Sequence, residues 1–315
     1  MKKILVTGAF GQIGSELVPE LRKKYGKENV VSSDVRPPSD EMTAAGPTEV
    51  IDATKKEQVE SAVKQHGIDT IYHLASILSA AGEKNPQFAY FVNNTCLYNV
   101  LEIAREQKLE RIMVPSSIAV FGPETPRDNT PNETVLKPST MYGISKVHGE
   151  LLCDYYFKKF GVDVRGLRYP GIISNVTPPG GGTTDYAVDI YYYAVRRKPY
   201  KCFLKPDSTL PMMYMPDALN AIIQLAEADV STLAHHSDFN LAAMSFSPAE
   251  LTAAIQKELP DFRVSYEPDF RQAIADSWPR SIDDAASRKE WGWKPEFDIT
   301  AMTRDMIEKL SARLL

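Results

Sequence analysis

An apolar run, Ile4-Leu5-Val6, leads directly into Thr7-Gly8-Ala9-Phe10-Gly11-Gln12-Ile13-Gly14, and a helical pattern opens at Gln12. A strand feeding a glycine-spaced turn and then a helix is the arrangement that cradles a pyrophosphate. Its backbone can approach phosphate oxygens, and the helix start supplies N–H donors. Gly8 allows the tight turn, Gly11 the approach to phosphate, and Gly14 the close packing of helix on strand. Gly8, Phe10, Gly11, Gln12, Ile13 and Gly14 are therefore the first candidate cofactor contacts. Asp34 follows Gly14 by twenty residues, at the end of the second predicted strand. A carboxylate there accepts hydrogen bonds from ribose hydroxyls and repels a 2′-phosphate, which favours NAD over NADP. Arg36 is the competing signal, since a guanidinium at that position can neutralise such a phosphate.

The rest of the first half repeats this grammar. Apolar runs at 3–6, 29–32, 49–51, 70–74, 111–115 and 163–168 alternate with helical stretches at 12–24, 55–65, 87–107 and 142–160. Six such runs predict an α/β fold, a Rossmann doubly wound parallel sheet. Asp52 and Ala53 follow the third strand and His73-Leu74-Ala75-Ser76 closes the fourth, both at strand C-termini where ligands of open sheets bind. Asp52 and Ala53 are assigned to the adenine end and Leu74, Ala75 and Ser76 to the length of the dinucleotide. Asn93, on a helix facing the same crevice, is a further candidate, whereas His73 reads as a packed histidine.

After Tyr169 the pattern changes, because Pro178-Pro179-Gly180-Gly181-Gly182-Thr183-Thr184 can only be a loop. A smaller, discontinuous C-terminal substrate lobe is expected from there. Residues 1–173 form the cofactor domain, 212–240 return to its sheet as strand then helix, and 174–211 with 241–315 make the substrate lobe. The polar, Pro-rich stretch 123–138 is expected to be a loop facing the substrate.

A chain of 315 residues with 36 basic and 41 acidic side chains carries a net charge of -5, and 43% of it is hydrophobic. That balance favours neither nucleic acid nor an anionic membrane as partner. Cys96, Cys153 and Cys202 stand too far apart for a C-x-x-C pair and read as reduced thiols of a cytoplasmic protein. Glycines at 8, 11 and 14 interrupt the N-terminal apolar run before a signal sequence could form. With no other run approaching ~20 apolar residues, the sequons at Asn93, Asn132 and Asn175 read as fortuitous. His235 and His236, with Asp238 nearby, do not suggest a metal, because adjacent residues of a predicted strand face opposite ways. Tyr191-Tyr192-Tyr193 and Met212-Met213 read as packing or subunit contact.

Tyr142 and Lys146 are four residues apart on a predicted helix, so they share a face. A phenol is a poor base near neutral pH unless a neighbouring cation stabilises its anion, the role expected of Lys146. Ser117, in Pro115-Ser116-Ser117-Ile118-Ala119-Val120-Phe121-Gly122 at the end of the fifth strand, can hold the reacting oxygen of a substrate, and Ser116 is counted with the cofactor residues.

Together, the glycine turn, Asp34, His73-Leu74-Ala75-Ser76, the serine strand, Tyr142-x-x-x-Lys146 and Arg168-Tyr169-Pro170-Gly171 make the chain resemble the extended short-chain dehydrogenase/reductases. The resemblance implies that Tyr169, Gly171 and Ile172 line a nicotinamide pocket. Residues 167–174, 179–187 and 212–218 resemble most closely the short-chain L-threonine 3-dehydrogenase branch. This implies NAD-dependent oxidation of the threonine β-hydroxyl to 2-amino-3-ketobutyrate. By the same resemblance Tyr142 is the general base, Lys146 tunes it and holds cofactor, and Ser117 orients the hydroxyl. Ser79, Thr183 and Thr184 bind the amino-acid end, and Trp278 closes the pocket. A glycine-rich turn at Gly180, rich in N–H groups, also suits a small carboxylate. The alternatives are a nucleotide-sugar epimerase or dehydratase, which calls for a longer groove and usually an arginine on the diphosphate, and a dinucleotide sensor without catalysis, which has no need of Tyr142 and Lys146. Homodimerisation through helices 87–107 and 142–160 is implied by the resemblance alone.

Overall fold

The computed structural model describes residues 1–315. Its first 173 residues contain β1 (Ile4–Thr7), β2 (Val30–Asp34), β3 (Thr48–Val50), β4 (Thr70–His73), β5 (Arg111–Met113), β6 (Ser116–Ser117), β7 (Val164–Arg165), β8 (Leu167–Tyr169) and β9 (Gly171–Ile173). Six of them form one parallel sheet in the order β3-β2-β1-β4-β5-β7. Strand order reverses beside β1, and the crevice beyond the strand ends at that switch point is where such sheets bind ligands.

The helices of this half are α1 (Gly14–Tyr25), α2 (Asp40–Ala44), α3 (Lys56–His66), α4 (Ser79–Gly82), α5 (Pro86–Gln107) and α6 (Met141–Phe160). Alternate residues of β1 enter different cores. Ile4 and Val6 pack with Leu17 and Leu21 of α1, whereas Leu5 packs with Val59 of α3 and Val100 of α5. A strand covered on both faces reads as a continuous apolar run, which is why Ile4-Leu5-Val6 was recognisable.

The fifth and sixth predicted strands are each interrupted. β5 stops at Met113, and Pro115, which has no N–H to donate to a ladder, separates it from β6. The run expected at 163–168 breaks at Gly166, whose N–H donates to the His236 carbonyl at 2.8 Å. Beyond these breaks β6 and β8 pair with each other, and β8 with β12 (Phe239–Asn240), in a separate small sheet. Ser116 and Ser117 thus stand on a segment peeled away from the main sheet.

Further elements are α7 (Tyr186–Val195), β10 (Tyr200–Cys202), β11 (Leu210–Tyr214), α8 (Met215–Glu227), β13 (Met244–Phe246), α9 (Pro248–Glu258), β14 (Val264–Tyr266), α10 (Arg271–Asp276), α11 (Ala285–Trp291) and α12 (Ile299–Leu314). The expected strand-helix pair near 212 is present, but its strand does not join the six-stranded sheet. β11 pairs instead with β9 and β13. Its helix does return: α8 packs on α1, and buried Arg165 of β7 donates to the Leu225 and Ala228 carbonyls at 2.8 and 2.6 Å. Tyr191 and Tyr192 are buried in the core of the C-terminal elements, with the Tyr191 hydroxyl on Thr303 at 2.8 Å, and Met212 and Met213 are fully buried. No helix is long and apolar enough to cross a membrane.

Candidate active site

Two clefts meet at Leu74 and Ser76. The first is an open crevice of about 570 Å³ at the ends of β1, β2 and β4, bordered by Gly8, Gly11, Asp34, Arg36, Asp52, Ala53, Leu74, Ala75 and Ser76. Gly8 has φ +71°, and a Cβ there would lie 2.6 Å from the Ala75 amide, so the turn and the adjoining strand end both demand glycine. Neither Phe10 nor Gly14 lines this crevice. The Phe10 amide donates to Asp34 at 3.1 Å, and a Cβ on Gly14 would meet the Gly8 carbonyl at 2.6 Å, so both shape the turn from behind.

Arg36 does not face the crevice as a free cation. Its Nε and guanidinium NH2 lie 2.9 and 3.2 Å from the two Asp34 oxygens. Burial pushes the Asp34 carboxyl up, but the Arg36 side chain and the Arg36 and Phe10 amides more than offset it, leaving its pKa below the ordinary value. A carboxylate so anchored stays ionised at the crevice wall. Asp52 accepts from the Thr54 amide and hydroxyl through one oxygen. The buried Ser76 hydroxyl has no partner within the chain. A glycine cradle, an ionised Asp34 and an unpartnered hydroxyl along one crevice fit an extended dinucleotide.

The second cleft brings together Gln12, Ile13, Ser79, Ser117, Tyr142, Lys146, Tyr169, Gly171, Ile172, Thr183, Thr184 and Trp278. Local packing explains how a serine and a tyrosine twenty-five residues apart meet there. Thr140 caps α6 by accepting from the Gly143 amide at 3.1 Å, and α6 then seats on the turn after β6. A Cβ on Gly143 would come within 2.2 Å of the Ala119 carbonyl. This glycine is what lets Tyr142 settle beside Ser117.

Burial pushes Tyr142 up to about 12, with the Ser117 hydroxyl beside it pulling the other way. Lys146 is pushed down to about 8 by burial, and its ammonium donates to the Pro115 carbonyl at 2.7 Å. In the chain alone, desolvation of the phenolate outweighs the pull of the Ser117 hydroxyl. His73 is buried and pushed down to about 3 by burial, with Nδ1 on the Thr7 hydroxyl at 2.8 Å, so it is the packed neutral imidazole expected.

Several assignments change. Gly180 does not line the cleft. The amides of Gly180, Gly181 and Gly182 all donate to one Asp185 oxygen at 2.7–2.8 Å, so a tethered carboxylate already holds the N–H groups expected for a substrate. The neighbouring Thr183 hydroxyl, in contrast, is buried without a partner. Asn93 exchanges hydrogen bonds with both backbone groups of Ile77, so it pins the crevice wall through one N–H and its carbonyl. Ser116 donates to Glu150. The stretch 123–138 is a loop, but it contributes nothing to either cleft. His235 and His236 lie outside any strand. His235 bridges Glu133 and Glu290, and His236 stacks on Phe157.

Sequence reasoning missed Asp185, which borders the cleft, and the buried Glu150–Arg168 pair behind it. Glu150 accepts from Ser116 and from Arg168, whose NH1 reaches the Asn132 carbonyl and the Asn240 side chain. A signal existed, since Glu150 continues the four-residue spacing of Tyr142 and Lys146 along one helix face.

A Rossmann crevice joined to a Ser-Tyr-Lys cleft defines an extended short-chain dehydrogenase/reductase. The chain belongs to the NAD dependent epimerase/dehydratase family, whose model matches residues 4–242. An uncharacterized epimerase/dehydratase of Staphylococcus saprophyticus is 50% identical over 99% of this chain and 98% of its own. The holo form of a GalE-like L-threonine dehydrogenase from Cupriavidus necator is 52% identical, with 98% of this chain and 99% of that one covered and a TM-score of 0.96. A monomeric L-threonine 3-dehydrogenase from a metagenome, in its apo form, is 49% identical over 98% and 99% of the two chains, with a TM-score of 0.95.

Proposed function

We propose that this chain is an NAD-dependent L-threonine 3-dehydrogenase, oxidising the β-hydroxyl to give 2-amino-3-ketobutyrate. The observation that carries the reading is a cleft joining Ser117, Tyr142 and Lys146 to Thr183, Thr184 and Trp278, with no arginine on its walls. A nucleotide-sugar site calls for a cation on the diphosphate, and Lys146, held by Pro115, is the cleft's one lysine or arginine. The likeness to solved threonine dehydrogenases over nearly the whole chain supports the same substrate.

Bound NAD supplies the acceptor for the hydride that leaves the β-carbon. Gly8, Gly11, Asp34, Asp52, Ala53 and Leu74–Ser76 hold it in this reading, with Gln12, Ile13, Tyr169, Gly171 and Ile172 toward the nicotinamide. Tyr142 takes the hydroxyl proton, Ser117 orients the same oxygen, and Lys146 stabilises the phenolate form of the base by its positive charge and holds the cofactor. Ser79, Thr183 and Thr184 bind the amino-acid end, and Trp278 excludes water from the reacting carbon. NADH absorbance with L-threonine, against D-threonine, L-serine and UDP-glucose and with NADP in place of NAD, tests the assignment. Reaction with a UDP-sugar and none with L-threonine overturns it.

Three subsidiary readings follow. Residues 1–173 with 212–240 serve the cofactor and the remainder the substrate, two units joined by shared cores, since Ile118–Phe121, Tyr142, Met212 and Tyr214 pack with the C-terminal elements and Leu241 and Trp293 with the Rossmann half. The chain pairs as a homodimer through α5 and α6, where Tyr90, Tyr98, Leu151 and Tyr155 are exposed apolar surface. A monomer mass by light scattering overturns that pairing. Three buried, unpaired cysteines suit a reducing compartment such as the cytoplasm.

A further inference from the structure

The loop 123–138 stays outside both clefts, yet its main chain is committed to the segment that carries Trp278. Thr130 and Ile282 form a parallel bridge. The Thr130 amide donates to the Ser281 carbonyl and the Asp283 amide to the Thr130 carbonyl, each at 3.0 Å. The Arg127 carbonyl accepts from the Arg280 and Ser281 amides at 2.6 and 3.2 Å. Side chains add to this pairing. Arg127 Nε donates to the Trp278 carbonyl at 3.3 Å, the Asn129 amide to the Ser281 hydroxyl at 2.7 Å, and Arg280 pairs with Asp128.

The loop is itself held from inside the protein. Arg168 donates to the Asn132 carbonyl at 2.8 Å, and Asn240 Nδ2 to the Thr130 and Asp283 carbonyls, both at 3.1 Å. Arg168 is the partner of Glu150, which also accepts from Ser116, the neighbour of Ser117. One hydrogen-bonded chain therefore runs from the catalytic serine strand to the cleft wall formed by Trp278. Side-chain packing also holds the wall, since Trp278 and Ile282 are buried in the C-terminal core, but residues 277–284 lie in no named strand and the loop supplies their main-chain pairing.

We propose that Arg127–Thr130 is a specificity-determining strap. By fixing the backbone at Trp278 it sets how far the indole stands from the reacting carbon, and so the space left for the substituent on that carbon. Arg127 touches no substrate and is a positioning residue. The proposal rests on the threonine reading and deepens it. One methylene at such a wall changes kcat/KM by ~10–200-fold, and a wall free to retreat loses much of that discrimination.

The test compares the native chain, Arg127→Ala and Arg127→Lys, with NAD saturating. Arg127 is exposed, so its replacement leaves the cores intact. The readouts are kcat/KM for L-threonine and for L-threo-3-hydroxynorvaline, one methylene longer, together with amide exchange of residues 277–284. Arg127→Ala is expected to lower the threonine preference by about threefold or more, through a higher KM for threonine, with NAD affinity unchanged. Exchange at 277–284 should quicken, and Arg127→Lys should restore part of both effects. Faster exchange with an unchanged preference overturns the specificity role, and unchanged exchange overturns the strap itself. Turnover of neither amino acid by the native chain sinks the threonine reading and the specificity role with it, while the exchange result still decides whether the loop holds the Trp278 segment.

Discussion

Lys146 stands one helical turn after Tyr142 with its ammonium 5.4 Å from the centre of the phenol ring, but hydrogen-bonded to the Pro115 carbonyl at 2.7 Å. The cation is thus tied to the end of the serine strand, near the phenol and not on it. At neutral pH the chain alone holds a neutral phenol beside an ammonium, since burial pushes Tyr142 up to about 12 and Lys146 down only to about 8.

In the proposed mechanism, removing the phenol oxygen removes the base and leaves the crevice walls intact. Tyr142→Phe is expected to lower kcat by ~10²–10⁴-fold while NAD affinity stays within about threefold, because Tyr142 borders the catalytic cleft and not the adenosine crevice. Single-turnover NADH formation and NAD titration by fluorescence give the two numbers. Undiminished oxidation by this variant would exclude Tyr142 from the mechanism.

The pH profile follows from the same shift. A base whose pKa lies above the working pH gains roughly tenfold in its ionised fraction per pH unit, so kcat/KM should climb toward alkaline pH. Ser117 is the group that pulls Tyr142 down. Ser117→Ala should therefore move the rising limb to higher pH as well as lowering the rate. A limb that stays in place means that Ser117 orients substrate without tuning the phenol.

In the proposed reading, cofactor choice rests on Asp34 and Arg36 together. The guanidinium is neutralised by the carboxylate it grips, so replacing the carboxylate frees a cation at the ribose end of the crevice. Asp34→Ser is expected to raise kcat/KM with NADP relative to NAD by at least about tenfold, the worth of one charge-assisted hydrogen bond. Asp34→Ser with Arg36→Ala should lose that gain. An equal gain in the double variant assigns the preference to repulsion by Asp34 alone.

What could be read beforehand was local in sequence. The turn at Gly8–Gly14 announces itself because strand, turn and helix are contiguous, and Tyr142 with Lys146 because a helix turns every 3.6 residues. What could not be read depends on groups meeting from far apart. Asp185 capturing three glycine amides looks in sequence like an ordinary loop acid after a flexible turn. Glu150 and Arg168 were visible as residues but not as a pair, since β8 first has to leave the main sheet at Gly166. The balance of burial and charge at Tyr142 depends on the closed cleft as well. Helical spacing shows which charge is near, and only the closed cleft shows how little water is left.

His235 gives a stability test of the same loop that grips the Trp278 segment. Its Nδ1 lies 2.6 Å from Glu290 of α11 and its Nε2 meets Glu133 of the loop, with Asp238 also nearby. Burial pulls the imidazole down, but the two glutamates more than reverse it, so its folded pKa lies above 6.5. A group that holds its proton more tightly when folded stabilises fully below its unfolded pKa, and that contribution fades as pH rises through the folded value. Native protein should therefore outlast His235→Gln near pH 6, with the gap closing at alkaline pH. Glu133 is mostly exposed, so its pair contributes only ~0.2–1 kcal/mol, and with the better buried Glu290 beside it the gap should be at least about 1–3 °C. Thermal midpoints of both proteins at pH 6 and pH 9 measure it. A gap of equal size at both values would show that the imidazole acts here through packing and not through its charge.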